Sequence, residues 1–475
     1  MPLKRLNDIP GPRGLADQWS MYRRRYQMGH VLREISQAHG DIARVPVAGL
    51  PKVLVSHPDQ VREVTVTSAQ YFGLCGQDLL RRVVPWTLIA IEGQIHDEHR
   101  ALMLLALRKI LTRRLMATTI LRSEQALSKL RDGDVIDLYQ FSRGVSLAIA
   151  ASLLFPAEAG DEIVSGIDHT AFLNLMSQSN AWFLGMPLAF QKLCLLFDIR
   201  HSLKVLTNRN RVRRQLTAAI KTASSLPRSG ANADMLSLIT DGSEIGRRMR
   251  DEFLEDSLLT ILLASYDTTA NSFAWALWEA SRQPDLQSRI ATEGARLSDN
   301  PADNLEWSNT AIWTEATLQE SLRMYPSVWA TSRRTLSDYR LGEYLVPRDT
   351  FVYTSQWVTH HDPRWFPEPE EFRPERWRPI ESNAAANSPA KDAALQAASS
   401  PINPSEERPQ FAFFPFGGGK RFCIGKALFD QEASYLLASF FARWESTQVE
   451  TCHPQPRFGV TLQPDRPMLV RIKRR

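Results

Sequence analysis

The character of this chain changes at Tyr325-Pro326, and that change limits the folds open to it. Leucine and alanine recur at helical spacing from about residue 90 to 285, with a helix over about 251–282 and a helix pair from about 280 to 324. After the proline the pattern turns to short strands, predicted at Tyr339–Leu345 and Thr350–Tyr353, then to proline-rich loops through Pro379. Further strands are predicted around Phe458–Leu462 and Met468–Ile472, and Val45–Val55 reads as a hairpin about Gly49-Leu50-Pro51, behind a stiff Ile9-Pro10-Gly11-Pro12 entry. Helical text flanked by strand text excludes a βαβ repeat. It predicts one mainly α domain with small β-sheets (α+β) over residues 1–475. Residues 224–247 read as a loop between helices. The Ala/Ser/Asn/Pro-rich stretch 381–408 reads as a surface insertion or mobile loop, with partner binding as the alternative.

Ten residues carry most of the chemistry: Phe416-Gly-Gly-Gly-Lys-Arg-Phe-Cys-Ile-Gly425. They place one thiol, Cys423, in a glycine-rich loop just before a new apolar segment, with Arg421 two residues earlier. A thiolate that ligates a metal needs its charge stabilised, and loop N–H groups with the N-terminus of a following helix do that. A buried free cysteine beside a loop is the plain alternative. The four cysteines (Cys75, Cys194, Cys423, Cys452) are scattered and form no CxxC pair, which argues against a disulfide framework or a zinc site and fits a reducing compartment.

The loop resembles the haem-binding pattern F-x-x-G-x-R-x-C-x-G of the cytochrome P-450 family, filled by Phe416, Gly419, Arg421, Cys423 and Gly425. The resemblance implies haem b with Cys423 thiolate as axial ligand, in a triangular-prism helical fold with haem between a long central helix and the cysteine loop. Ala264-Ser-Tyr-Asp-Thr-Thr269 resembles the family's [A/G]-G-x-[D/E]-T. An acid and a hydroxyl mid-helix are unfavourable unless used. The resemblance makes Asp267 and Thr268 the pair that delivers protons to bound dioxygen, beside Ala264; a local polar patch or kink is the alternative. Ser265 stands where the family has glycine.

Glu320 and Arg323 sit at i, i+3 on one helix face, where they can pair. They match the family's E-x-x-R, with Arg376 completing an ion network behind the loop. His96 and Arg100, at i, i+4 on one face, match G-x-x-H-x-x-x-R. With Arg333 and Arg421 they form the expected propionate-binding set; Arg334 is the substitute if the register slips by one, and His360 is a further candidate. Phe429 replaces the family's usual alanine after the cysteine. By analogy the substrate-facing positions are Trp86, Phe183, Val328, Trp329 and Val460, within stretches that also hold Phe172, Trp182, Met186 and Phe190. Core packing is the alternative for each.

The expected activity is a monooxygenase that inserts one atom of dioxygen into a lipophilic small molecule: a terpenoid, a fatty acid or a polycyclic natural product. Electrons would come from a separate ferredoxin or flavodoxin and reductase. A peroxygenase or isomerase that does not use dioxygen, and a non-catalytic haem protein, are the alternatives. With 43% hydrophobic residues the chain can enclose a cofactor. Its longest apolar runs, Val145–Phe155 and Leu258–Tyr266, are too short to cross a bilayer, and no anchor or signal peptide is read at the N-terminus. A monomeric, cytoplasmic, bacterial-type member is therefore expected. The net charge of +5 is mild. Basic clusters at 108–114, 209–214 and 471–475 lack the aromatic interleaving of a nucleic-acid binder. They are solvated faces, or, for Lys420, Lys426 and 108–114, a docking face for an acidic electron donor.

Overall fold

The computed structural model describes residues 3–46, 51–75, 85–155, 251–298, 300–307, 310–378, 408–449 and 453–475, with Thr207, Arg214, Thr217 and Ala218. Strand β1 (Lys4–Arg5) leads into helices α1 (Leu15–Arg23) and α2 (Met28–His39), then strands β2 (Ile42–Arg44) and β3 (Lys52–Val55), short helix α3 (Pro58–Arg62) and strand β4 (Phe72–Leu74). Helices α4 (Gly93–Arg113) and α5 (Leu115–Leu127), strand β5 (Val135–Asp137) and helix α6 (Leu138–Leu154) follow. Helix α7 (Asp251–Ala280) runs through the middle, succeeded by α8 (Pro284–Gly294), α9 (Pro301–Trp307) and α10 (Ile312–Met324). Then come β6 (Thr331–Thr335), β7 (Tyr339–Leu341), β8 (Tyr344–Val346), β9 (Phe351–Thr354) and α11 (Gln356–His360). Helix α12 (Lys426–Arg443) and strands β10 (Trp444–Gln448), β11 (Pro456–Phe458), β12 (Leu462–Pro464) and β13 (Leu469–Arg474) complete the order.

Helix α7 carries apolar side chains around its whole circumference, as a helix in a core does, with a few polar residues among them. Leu258, Leu259, Leu262, Phe273, Trp275, Leu277 and Trp278 are all buried, and its longest contact is with α6. One large apolar cluster gathers α2, α4–α8, α10 and α12. A second lies under the sheet β2-β3-β9-β6-β4. In that sheet β3 pairs with β9 in parallel (Val53 opposite Val352), and β6 pairs antiparallel with both β9 and β4 (Arg333 opposite Val352 and Leu74). The sheet thereby fixes the face that Arg333 occupies.

The mainly helical layout with small sheets agrees with the expectation, as do the helix over 251–280 and the β2–β3 pairing. Three details differ. The strand expected over Tyr339–Leu345 is a hairpin, because Gly342 takes φ +59° and reverses the chain between β7 and β8. The strand expected over Phe458–Leu462 is mostly a turn: the Gly459 N–H donates to Thr461 O (3.1 Å), joining antiparallel β11 and β12. The helix pair of 280–324 is three helices, two of them opening on a proline, the residue suited to a first turn. The turn at Gly49, the loop 224–247 and all but Arg408 of 381–408 lie outside the described residues. So do Phe183 and its neighbours in 170–200, Cys194 and Cys452. Among the described residues no helix is long and apolar enough to cross a membrane.

Candidate functional site

The cysteine loop is a tight turn pinned from both sides. The Cys423 N–H donates to Phe416 O (3.0 Å), the Phe422 N–H to Gly419 O (3.0 Å) and the Gly417 N–H to Phe414 O (2.9 Å). Gly419 has φ +60°, and a Cβ there would fall 2.3 Å from Thr65 O, so only glycine closes this loop against the preceding layer. The loop ends at Gly425, the N-cap of α12, whose N–H donates to Cys423 Sγ (3.3 Å). Cys423 is accessible, yet burial is the main cause that pushes its thiol up; the two facts agree if the sulfur faces an enclosed space rather than the outer surface. The Gly425 and Lys426 N–H groups and the nearby Arg100 act the other way and favour the thiolate. Phe416 packs against Phe429 (ring centroids 5.5 Å), so the residue that replaces alanine fills space beside the loop.

Behind the loop lies a fully buried ion pair. Arg323 places all five N–H groups: Nε and Nη2 on Glu320 (2.9 and 2.8 Å), the remainder on the carbonyls of His360, Pro369 and Glu371 (3.1, 2.8 and 3.1 Å). Glu320 also accepts from Arg376 Nε (3.2 Å), the Arg373 N–H (2.9 Å) and Trp377 Nε1 (2.8 Å). A buried pair of this kind stands only when every donor and lone pair is matched. His360 belongs here and not with the cations described next: its Nε2 accepts the Phe414 N–H (3.0 Å), and burial brings its pKa down to about 3. A neutral imidazole thus ties α11 to the segment that enters the loop.

His96, Arg100 and Arg333 each lie close enough to Arg421 or to one another to influence charge, and Arg100 also acts on the Cys423 thiol. Arg421 donates to Leu88 O (2.8 Å) and Ile91 O (2.7 Å), and burial followed by repulsion from Arg333 brings its pKa down to about 10. Arg333 and Arg100 are also lowered, first by burial, and neither forms an ion pair among the described residues. His96 Nδ1 meets Asp97 (2.9 Å), which also binds Lys420 (2.8 Å). Arg334, the alternative to Arg333, points to the other face and pairs with Asp349 (3.1 Å). Glu92 and Asp97 offset part of this positive charge, and buried cations that keep no ion pair of their own among the described residues suit an anionic ligand. A group carrying two carboxylates and a thiolate-ligated metal fits this donor set: buried cations, an accessible thiol that accepts a backbone N–H at a helix N-terminus, and a loop that admits no Cβ.

Helix α7 presents Ala264 and Thr268 to accessible space, although the helix is otherwise buried. Thr268 Oγ1 donates to Ala264 O (2.5 Å), a bond that competes with the helical ladder there. Ser265 borders a small apolar cavity with Leu107, Ile110, Leu153 and Leu428. Asp267 turns away from Thr268 into a polar cage. Its oxygens accept from Tyr139 Oη (3.1 Å), Gln463 Nε2 (3.1 Å) and the Thr461 hydroxyl.

Comparison with known proteins decides the family. A cytochrome P450 family profile matches residues 10–471. The chain belongs to the cytochrome P450 family. Pentalenene oxygenase of Streptomyces avermitilis is 23% identical over 461 residues, 96% of this chain and 94% of that protein. Cyclooctat-9-en-7-ol 5-monooxygenase of Streptomyces melanosporofaciens is 24% identical, over 86% of this chain and 83% of that protein. The solved structure of retinoic acid bound cyanobacterial CYP120A1 superposes with a TM-score of 0.79, covering 100% of both chains at 19% identity, which shows the P450 fold. The protein is a cytochrome P450 monooxygenase, of a family that carries haem bound through a thiolate.

Within this P450 fold the substrate-facing candidates divide. Val328 and Val460 are half-buried, Val460 in the β11–β12 turn. Trp329 is buried, its indole N–H donated to Gly459 O (2.8 Å) and its ring edge-on to Phe458, so it braces the turn beneath Val460. Trp86 is half-buried, and its N–H donates to Asp256 of α7 (2.9 Å). In the basic cluster of α4, Arg108 is exposed while Arg114 donates to Ser152 O (3.0 Å). Lys426 pairs with Asp430 (2.6 Å). Sequence reasoning missed Tyr139, Thr461 and Gln463, because nothing local in those segments marks residues that meet Asp267 across long stretches of chain.

Proposed function

We propose that this P450 oxidises a lipophilic terpenoid, holding haem b through Cys423 and taking electrons from a separate redox protein. The convergence of an accessible thiol, four cations and the exposed Ala264–Thr268 face carries this reading. The terpenoid class is supported by the names of the two Streptomyces relatives and by the apolar residues around α7. Haem bound there supplies dioxygen activation, aided by electron density from the thiolate.

The chain's residues do the rest. Gly425 and Lys426 N–H groups and the α12 N-terminus hold negative charge on Sγ. His96, Arg100, Arg333 and Arg421 bind the propionates through charge-assisted bonds. One oxygen atom enters the substrate and the other leaves as water, so two electrons and two protons are consumed. Thr268 presents its hydroxyl to the accessible face, and Asp267, beside it on the helix, supplies protons from the cage side. The packed wall of α6, α7 and α12 keeps bulk water from the reacting C–H bond.

The test is the absorption spectrum of the dithionite-reduced, carbon monoxide-bound protein. A strongly red-shifted Soret band is expected, and Cys423→Ser should abolish it. A band at the ordinary histidine-haem position in the native chain would refute the ligand assignment.

A further inference from the structure

The acid of the proposed relay is held by a part of the chain nearly two hundred residues away, and that hold is unlike an ion pair. Asp267 is buried, and among the described residues no cation pairs with it. Its three side-chain donors are neutral: Tyr139 on α6, and Thr461 and Gln463 on the β11–β12 hairpin. Neutral donors fix a carboxylate's direction without neutralising it, so position here rests on hydrogen-bond geometry.

The same hairpin also reaches Thr268. The Leu462 N–H donates to Ser327 O (2.9 Å), and Ser327 Oγ donates to Thr268 O (2.7 Å) while meeting Ser272 Oγ (3.0 Å). Both members of the pair are thus secured from one side: the acid by its side chain, the alcohol by its backbone. The hairpin itself is rigidly seated. Phe458 is wedged among Trp329, Trp357 and His30, and a Cβ on Gly29 would lie 2.1 Å from its ring. Val460, next to Thr461, sits half-buried in the turn.

We infer that Thr461 is a positioning residue for Asp267, and that the hairpin carrying Val460 and Thr461 links a ligand pressing on the turn to the direction of that carboxylate. Tyr139 and Gln463 complete the hold. This rests on the proposed relay only for its consequence in turnover; the hold itself can be read without turnover.

The experiment is infrared difference spectroscopy of the haem-loaded protein carrying 13C-labelled aspartate, with and without a lipophilic probe such as lauric acid or camphor. The Asp267 carboxylate band is assigned by its loss in Asp267→Asn. Thr461→Val keeps the shape and removes the donor; Thr461→Ser keeps the donor. The band is expected to shift in Thr461→Val, to return in Thr461→Ser, and to move when a bound probe fills the native protein. An unshifted band in Thr461→Val would overturn the positioning role. A band indifferent to a probe that does bind would overturn the link to the turn. In turnover, Thr461→Val should lower kcat about tenfold with KM little changed, since a small misplacement of a reacting group costs that much or more. If the band shifts as expected while Asp267→Asn leaves kcat intact, the relay reading fails and the positioning stands.

Discussion

At the scale of single residues, the site shows how burial and neighbours set charge. Glu432, on the buried face of α12, has its pKa pushed up to about 8, by burial first and only partly offset by the nearby Ser146 hydroxyl; its Oε1 has no hydrogen-bond partner among the described residues. A carboxyl raised in this way is protonated in the folded chain at neutral pH, whereas the unfolded chain ionises near pH 4.3. Stability is therefore expected to fall as pH rises from about 4.5 to 8, by up to about 1.4 kcal/mol per unit, and to change no further above that range. Glu432→Gln should flatten the slope in denaturation midpoints taken across pH 5 to 8; parallel slopes would contradict the assignment. The sequence made the short-range chemistry legible here. Cys423, Arg421 and Glu320–Arg323 lie in motifs whose members touch one another, so spacing alone located them. The partners of Asp267 were illegible, because threonine, glutamine and tyrosine bear no mark until the fold sets them against a carboxylate.

At the scale of elements, close approach replaces side-chain chemistry. Gly294, near the end of α8, faces α12 so tightly that a Cβ would lie 2.3 Å from Ala438 O. The obstacle is backbone, which cannot swing aside as a flexible side chain does. Gly294→Ala is expected to destabilise the protein by about 1–3 kcal/mol, despite alanine's better helix propensity, and the urea midpoint measures it. A stabilised variant would show that the two helices can separate without loss. Helical periodicity made α7 and α10 readable with small boundary errors. It missed α1 and α2, and pattern alone missed β4 and β10, three and five residues long, which exist because neighbours offer them a ladder; β6 was placed only through the resemblance that put Arg333 on a strand. The β11–β12 segment reads as a strand around Phe458–Leu462, with its turn near Val460 placed only by analogy, for a related reason: Gly459 to Thr461 form a turn whose bonds reach Trp329 and Asp267, and an isolated window contains neither.

At the scale of the whole molecule, the gathered cations have a thermodynamic consequence. Arg100, Arg333 and Arg421 are each lowered from their usual value, first by burial, and Arg421 also by repulsion from Arg333 and Arg100, against the pull of Glu92 and Asp97. Removing haem is expected to lower Tm, since a ligand at 1,000 times its Kd contributes about 4 kcal/mol. Arg333→Gln should raise the Tm of the haem-free protein and shrink the gain on haem loading, as followed by calorimetry of the two forms. A variant that leaves both midpoints unmoved would remove Arg333 from the propionate set. The parallel pairing of Val53 with Val352 also bears on how the protein is made. On a ribosome adding roughly 5–20 residues per second, β3 waits tens of seconds for β9. The cysteine loop, whose Gly419 closes against Thr65, emerges later still. Until β9 arrives the early strands keep an open edge, and until the cysteine loop follows no complete pocket exists to receive a prosthetic group. Capture of the cofactor is accordingly one of the last events in the life of the nascent chain, and a cell short of haem at that moment would hold a nearly finished protein with its sheet closed and its central slot vacant.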